Sequence, residues 1–190
     1  RFMANIATWG GGLYCEGNSA LDLVRCALIG NEATFDGGLT CDGPSVVNLQ
    51  SCTVAFNTSV DPSRGTGIGL TQNAVANVEA SIIAFGPSGL AVYCDPGSSA
   101  TLRCCDLFLN AGGDWVGCIA TQAGVDGNFT ADPAFCDPAS DDLRLRNDSP
   151  CLPGQHPMGA ACGLIGAFGA GGCPSALQPV TWSGLKTLFR

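Results

Sequence analysis

The chain has 190 residues, a net charge of −8 and only 13% charged residues, while 46% of its residues are hydrophobic. These values exclude a nucleic-acid-binding surface, which needs a stripe of Lys and Arg, and they exclude an intrinsically disordered chain. No apolar run reaches the roughly 18 residues that a membrane span requires, so no such span is predicted.

A sequence motif near the start recurs at a fixed offset. Residues 5–15 (NIATWGGGLYC) return as residues 31–41 (NEATFDGGLTC), and Cys26 returns as Cys52 with the same step of 26 residues. Self-similarity at such a period indicates a repeat architecture, in which each unit buries its apolar face by stacking on its neighbours.

Each repeat contains three short apolar segments bounded by Gly, Asn, Asp or Pro. Segments this short suit strands, because an amphipathic helix would need a longer run with apolar residues every three to four positions. The predicted strands occupy residues 12–15, 20–24, 26–31, 38–41, 46–49, 52–57, 67–70, 75–79, 81–86, 90–94, 100–103 and 105–110.

Three short strands in each repeat of about 26 residues predict an all-β, parallel β-solenoid. One corner of successive coils would carry a ladder of stacked asparagines, which tolerate left-handed backbone and can hydrogen-bond through their amides: Asn5, Asn31, Asn57 and Asn110. The coils are expected over residues 1–114. Residues 115–190 are expected to form an irregular final coil and a C-terminal cap or tail within the same domain.

Twelve cysteines without metal-ligand spacing indicate disulfides in an oxidising compartment. The candidates are Cys15, Cys26, Cys41, Cys52, Cys94, Cys104, Cys105, Cys118, Cys136, Cys151, Cys162 and Cys173. Stacked equivalents lie about 4.8 Å apart, so Cys15–Cys41 and Cys26–Cys52 are within bridging reach. The alternative for the cysteines of the repeats is a ladder of buried, reduced thiols. Covalent bridges are expected above all in the loop-rich sequence from Cys118 onward.

Both ends of the chain offer candidate assembly or capping residues. The sequence begins inside a coil, which suggests that an N-terminal portion is absent and leaves Arg1 and Phe2 at an open end. Near the other end, Trp182, Leu185 and Phe189 recur at helical spacing and are expected to dock on the end of the stack.

Together with the repeats, a C-terminal run of motifs carries a family resemblance. This run includes residues 112–115, 128–136, 148–151 and 162–167. The chain resembles the right-handed parallel β-helix repeat proteins that environmental bacteria secrete, which share the pectate-lyase-like architecture. The resemblance implies a right-handed parallel β-helix located outside the cell or on its surface, and it implies little about activity. The loss of the repeat after residue 114 and the cysteines of the loop-rich sequence add to it an irregular, disulfide-stapled C-terminal cap.

Some proteins of this architecture cleave polysaccharides, with clustered carboxylates and a nearby base. Here Asp22, Glu79 and Asp106 fall on three different columns of the repeat, and the pair Asp141–Asp142 lies outside the repeats. No catalytic residue and no metal site is therefore predicted, and no cofactor is expected. The Asp-rich loop of residues 137–142 offers carboxylate oxygens that could hold a structural calcium ion.

These patterns favour a non-enzymatic extracellular structural protein that assembles with itself, head to tail, into filaments or a cell-surface matrix. Edge strands at the two ends of a solenoid are templates for such contacts, and a heterologous contact propagates. The alternative is a carbohydrate-binding or polysaccharide-cleaving β-helix, with a surface polysaccharide as partner. An exposed aromatic column would favour this alternative, but the columns Trp9/Phe35 and Phe56/Phe85/Phe108 are expected to fill the interior.

Overall fold

The computed structural model describes residues 1–173 and shows a parallel β-solenoid of about four turns. The prediction of an all-β stack of coils is confirmed. Trp182, Leu185 and Phe189 lie outside the described residues. Within the described part of the chain, no helix has the length and apolar character needed to cross a membrane.

The strands follow one another coil by coil. The first coil holds β1 (Phe2–Met3), β2 (Ile6–Trp9), β3 (Leu13–Cys15) and β4 (Ala20–Val24). The second holds β5 (Ala27–Ile29), β6 (Glu32–Phe35), β7 (Leu39–Cys41) and β8 (Val46–Gln50). The third holds β9 (Thr53–Ala55), β10 (Thr58–Ser59), β11 (Gly65–Leu70) and β12 (Val75–Glu79). The fourth holds β13 (Ile82–Ala84), β14 (Leu90–Cys94) and β15 (Ser99–Arg103).

After the coils, the described chain continues in short elements. These are β16 (Asp106–Phe108), the 3₁₀ helix η1 (Gly117–Gln122), β17 (Phe135–Asp137), the 3₁₀ helix η2 (Pro138–Ser140) and β18 (Asp142–Leu145). β16 adds to the stack, whereas β17 and β18 form a separate antiparallel pair.

The repeat sets the register between coils. Leu13 pairs with Leu39, which pairs with Ile68, and Cys15 pairs with Cys41. The first three coils also carry a strand beyond the three expected per coil, since β2, β6 and β10 form a sheet of their own. This strand coincides with the start of the repeated motif, where Ala7 pairs with Ala33 and Trp9 with Phe35.

Two apolar cores hold the stack together. Residues that point inward fill an interior core, as in the column Leu28, Val54, Ile83 and Leu107. Their neighbours on the same strands point outward and belong to a second, lateral core. Strands β5, β9 and β13 are therefore buried on both faces, which explains their short, wholly apolar or small-residue sequences.

Residues 129–173, here called the C-terminal cover, supply the other half of the lateral core. They run along the side of the stack, where Phe135, Leu145 and Ile165 pack against the outward residues of the strands. The Gly166 N–H donates to the Ala80 carbonyl over 2.7 Å, and the guanidinium of Arg1 lies 4.6 Å from the ring centre of Phe168. The irregular C-terminal region thus covers a flank of the solenoid because that flank is apolar.

The end of the stack is closed instead by residues 115–128. Ile119 of η1 is fully buried in the interior core. The Gln122 side chain accepts a hydrogen bond from the Leu102 N–H (2.7 Å) and donates one to the Ala100 carbonyl (2.8 Å). Asn128 does the same for Cys105 N–H (3.0 Å) and the Leu102 carbonyl (2.9 Å). Side-chain amides therefore replace the next strand along this edge.

The cysteines divide into two groups of six. Three disulfides join Cys94 to Cys118, Cys104 to Cys162 and Cys136 to Cys173. The remaining six are free in this structure: Cys15, Cys26, Cys41, Cys52, Cys105 and Cys151. Five of them belong to the coils, where the sequence left reduced thiols open as an alternative. Cys151 lies in the loop-rich sequence from Cys118 onward and does not form the bridge expected there. Several of these thiols have acceptors of their own, as when Cys52 and Cys105 donate to the carbonyls of Leu23 (3.3 Å) and Val78 (3.4 Å).

Candidate functional site

The corner asparagines are structural. The Asn5 side-chain amide donates to Oδ1 of Asn31 over 2.8 Å, and Asn31 donates in the same way to Asn57 over 2.9 Å. Asn110 does not extend this ladder, because Gly86 occupies the corner of the intervening coil. The Oδ1 atom of Asn110 accepts a hydrogen bond from the Gly86 N–H over 3.2 Å. Asn110 therefore satisfies a backbone group at the corner without stacking on Asn57.

The acidic residues of the coils lie apart from one another. Asp22 is on the surface, where Oδ1 accepts a hydrogen bond from Asn48 over 2.7 Å. Glu79 forms an exposed ion pair with Arg103 at 3.8 Å. Asp106 is fully buried beneath the C-terminal cover. The three carboxylates therefore lie in three different environments and do not converge on one site.

The Asp-rich loop proposed for calcium has internal partners. Both carboxylate oxygens of Asp142 accept hydrogen bonds from Arg144, each over 2.7 Å, and Asp137 accepts one from the Ser140 hydroxyl. Within residues 1–173, no three His, Cys, Asp or Glu side chains cluster closely enough to hold a metal ion. His156 is buried as well, with Nε2 bonded to the Gly127 carbonyl over 2.8 Å.

An aromatic pair on the outside of the first two coils is a feature of a different kind. Trp9 ends β2, and its ring stacks on that of Phe35 with the centres 4.3 Å apart. Trp9 is 40% exposed, so the expectation that it fills the interior is wrong. All four residues of β2 are exposed, because this strand lies at the edge of its sheet and outside both cores. The rings of Phe56, Phe85 and Phe108 are instead half-buried in the lateral core.

A buried ion pair supports the aromatic pair from behind. The Arg64 guanidinium lies 5.2 Å from the ring centre of Trp9, 5.7 Å from that of Phe35 and 4.2 Å from that of Tyr93. It also binds the carboxylate of Asp36 at 2.7 Å, and Asp36 accepts further hydrogen bonds from Gly65 N–H and Thr40. Asp36 holds the Arg64 guanidinium in place, and the cation–π contact of that guanidinium with Trp9 holds the indole in one orientation.

A groove of about 380 Å³ opens beside Trp9. Its wall is built where successive strands of one sheet end, so that Asp42 follows β7, Thr71 and Gln72 follow β11, and Asp95 follows β14. Because these strands stack in register, the residues after them form a polar column along one corner. Tyr14 of β3 completes the lining and is 43% exposed.

Hydrogen bonds organise this polar wall around Asp42. Its Oδ1 accepts from the Thr71 hydroxyl (2.6 Å), and its Oδ2 accepts from Gln72 Nε2 (3.2 Å) and from the Tyr14 hydroxyl (3.3 Å). Asp95 accepts the Gln72 backbone N–H over 2.9 Å. Partial burial and the carboxylates of Glu16 and Asp42 raise the pKa of Tyr14 to about 12, so at neutral pH the phenol is a hydrogen-bond donor.

Such a site can hold a ligand with one apolar face and a rim of hydroxyl groups. The exposed indole offers a flat apolar surface, while carboxylates, an amide and hydroxyls offer donors and acceptors across the groove. No family model, no curated protein and no solved structure matches this chain. We therefore base the proposed function on the residues that line the groove.

The groove is not predicted in the sequence analysis above, although one sequence pattern points to it. An acidic or polar residue follows the same strand in each coil, as Glu16, Asp42, Thr71 and Asp95. Read as a column, these residues indicate a polar corner. Arg64, by contrast, lies in a turn of the third coil. The position of this turn beside Trp9 depends on the three-residue insertion of that coil. No local sequence pattern reveals that Arg64 lies next to Trp9.

Proposed function

We propose that this protein is a non-enzymatic extracellular solenoid that binds a polysaccharide in the groove beside Trp9. The observation that carries the proposal is the exposed Trp9 ring, held by Phe35 and Arg64, next to a polar wall centred on Asp42. A saccharide ring has an apolar C–H face that fits the indole and equatorial hydroxyls that fit carboxylates and amides. The polar residues of the groove recur from coil to coil along the stack, and such a column suits a linear polymer.

The extracellular location rests on two supports. Three disulfides form readily in an oxidising compartment and are uncommon in a reducing one. The sequence motifs also resemble the secreted bacterial right-handed parallel β-helix proteins of pectate-lyase-like architecture, which act outside the cell.

A glycan array followed by titration calorimetry tests the proposal. We expect one class of oligosaccharide to bind, and Trp9→Ala to weaken that binding at least tenfold, or about 1.4 kcal/mol. Trp9→Phe keeps an aromatic face and should retain part of the affinity. Leu109→Ala is the matched control, because Leu109 is an exposed apolar side chain (62%, against 40% for Trp9) that does not line the groove.

Two results would count against saccharide binding. One is an array that yields no ligand, and the other is an affinity unchanged in Trp9→Ala. Incubation with the bound polysaccharide should also release no new reducing or unsaturated ends. Release of such ends that depends on Asp42 would turn the proposal into one of polysaccharide cleavage.

Head-to-tail assembly is the second candidate function, and one observation favours it. Strands β1 to β4 each pair with one neighbouring strand among residues 1–173, so within the described part of the chain the first coil has an unpaired edge. This edge is apolar in part, with Ile6 81% exposed and Val24 58% exposed. The opposite end is closed by Ile119 and Gln122, so an incoming edge would have to meet residues 115–128 of the next copy.

The residues suggested for assembly are only partly available for it. Phe2 pairs with Leu28 and packs against the interior core, and Arg1 lies over Phe168 of the same chain. Size exclusion over a range of concentrations, with negative-stain electron microscopy, tests this candidate. Filaments with an axial repeat near one molecule's height support it, and a monomer at every concentration contradicts it.

A further inference from the structure

Two cysteines of neighbouring coils face each other in the interior core. Cys15 ends β3 and Cys41 ends β7, and the two residues pair directly in the parallel sheet. Their sulfur atoms are 3.2 Å apart, closer than the roughly 3.5–4.0 Å at which non-bonded heavy atoms attract best. Both residues are buried, Cys41 completely and Cys15 with 9% of its surface exposed.

A second pair with the same 26-residue offset behaves differently. The Cys26 thiol lies 3.6 Å from the Val24 carbonyl, and the Cys52 thiol donates to the carbonyls of Leu23 and Gln50. Carbonyl acceptors therefore satisfy these thiols in the reduced form. For Cys15 and Cys41, the one hydrogen-bonding contact of each sulfur within the described residues is the other sulfur.

We propose that Cys15 and Cys41 form a fourth disulfide that joins the first coil to the second. Strands of one sheet lie about 4.7–4.9 Å apart, which falls inside the Cα–Cα range of about 4.4–6.8 Å that disulfides span. Bond formation requires only a small approach of two sulfur atoms that already touch. The strands themselves stay in register.

The oxidant is a small-molecule disulfide such as oxidised glutathione. One cysteine thiolate attacks it, forms a mixed disulfide and releases one glutathione thiolate. The second cysteine thiolate then attacks the protein sulfur of the mixed disulfide and releases the second glutathione. Two S–H bonds are lost and one S–S bond forms, while the oxidant gains the two electrons and becomes two thiols.

The bond is expected to form while the first coil is still open. Burial raises the pKa of the Cys41 thiol well above its ordinary value, so the folded interior holds little reactive thiolate. Cys15 belongs to the first described coil, whose strands pair with those of the second coil. Once that coil has docked, the same burial shields the disulfide from reductants.

The bond also lies next to the groove. Tyr14 precedes Cys15 and Asp42 follows Cys41, and the Tyr14 hydroxyl donates to Asp42 across the same two coils. A disulfide between the coils therefore fixes the spacing of these two lining residues. This structural consequence holds whether or not the groove binds saccharide.

Disulfide mapping of the whole chain tests the proposal. The protein is refolded in a glutathione redox buffer, its free thiols are alkylated in denaturant, and the unreduced sample is digested. Trypsin separates Cys15 (residues 2–25) from Cys41 (residues 26–64), and cleavage after Glu32 and Asp42 separates Cys41 from Cys26 and Cys52. We expect a Cys15–Cys41 cross-linked peptide and two fewer alkylated cysteines than the six that are free in this structure.

Variants make the result specific. Cys15→Ser and Cys41→Ser should each remove the cross-linked peptide and lower the melting temperature of the oxidised protein, whereas Cys26→Ser should keep the cross-link. Wild-type protein that forms the three other disulfides and still has Cys15 and Cys41 alkylated overturns the proposal. A cross-link from Cys15 to any other cysteine overturns it as well.

Discussion

The side-chain amide of Asn31 donates a hydrogen bond to Oδ1 of Asn57, one coil further along the stack, over 2.9 Å. The same amide donates to the Phe2 carbonyl over 3.0 Å, while its oxygen accepts the backbone N–H and side-chain amide of Asn5. One buried side chain of the second coil thus satisfies polar groups of the first and third coils. At a corner, where the strands break, this replaces the ladder of backbone bonds.

Asn31→Ala should destabilise the stack, because it leaves several buried donors and acceptors without partners. Each such group costs about 1–3 kcal/mol. The measurement is urea unfolding followed by circular dichroism. Asn48→Ala is the control, since Asn48 also belongs to a ladder of polar side chains, with Asp22 and Asn77, but on the exposed face of its sheet. Equal losses for the two variants would show that burial of the corner ladder is unimportant.

Gly38→Ala should be among the most damaging small substitutions in the coils. A Cβ atom at Gly38 would overlap the carbonyl oxygen of Gly67 in the next coil and press on Val54. Overpacking of this kind costs about 1–3 kcal/mol or more, since a backbone neighbour cannot move aside. Gly169→Ala is the matched control, because its Cβ would meet nothing closer than 3.9 Å. Thermal unfolding of both variants checks the contrast.

The repeat made much of this fold predictable. A constant offset of 26 residues aligns Asn5 with Asn31 and Leu13 with Leu39 without knowledge of the tertiary structure, because stacked coils share a register. The ladder was mispredicted at Asn110, where coils of different length follow and Gly86 takes the corner. Cysteine spacing placed several thiols close together but did not show which had carbonyl acceptors of their own.

The lateral features were less accessible from sequence. Apolar outward residues such as Ala27 and Ile29 indicate that something covers their sheet, but not which segment of the chain does so. In the same way, the four residues of β2 are too few to distinguish an inward from an outward Trp9. The groove depends on the outward placement of Trp9, so its prediction required the three-dimensional structure.

Gln122→Ala should weaken the closed end of the stack. The substitution leaves the Leu102 N–H and the Ala100 carbonyl without the hydrogen bonds that the Gln122 amide provides. We expect a loss of about 1–3 kcal/mol and faster hydrogen exchange of the Leu102 amide, which NMR can follow directly. Gln155→Ala removes a single exposed amide contact, to the Asn147 carbonyl, and should leave both quantities unchanged. Unaltered exchange at Leu102 in Gln122→Ala would contradict the capping role.

Asp106 should make the protein less stable as the pH rises from about 4 to about 7. Burial, with smaller effects from Asp114 and Asp132, raises the pKa of Asp106 from 3.8 to about 7. The unfolded chain loses this proton near pH 4, whereas the folded state keeps it, so stability is full below pH 4 and declines until the folded carboxyl ionises. Asp106→Asn resembles the protonated acid and still accepts from Ala131 N–H, so the difference in melting temperature between pH 5 and pH 8 should shrink. Asp22→Asn, on the exposed face, should leave that difference as it is in the wild type. If Asp106→Asn shows the wild-type pH dependence, the carboxyl is already ionised in the folded protein at pH 5.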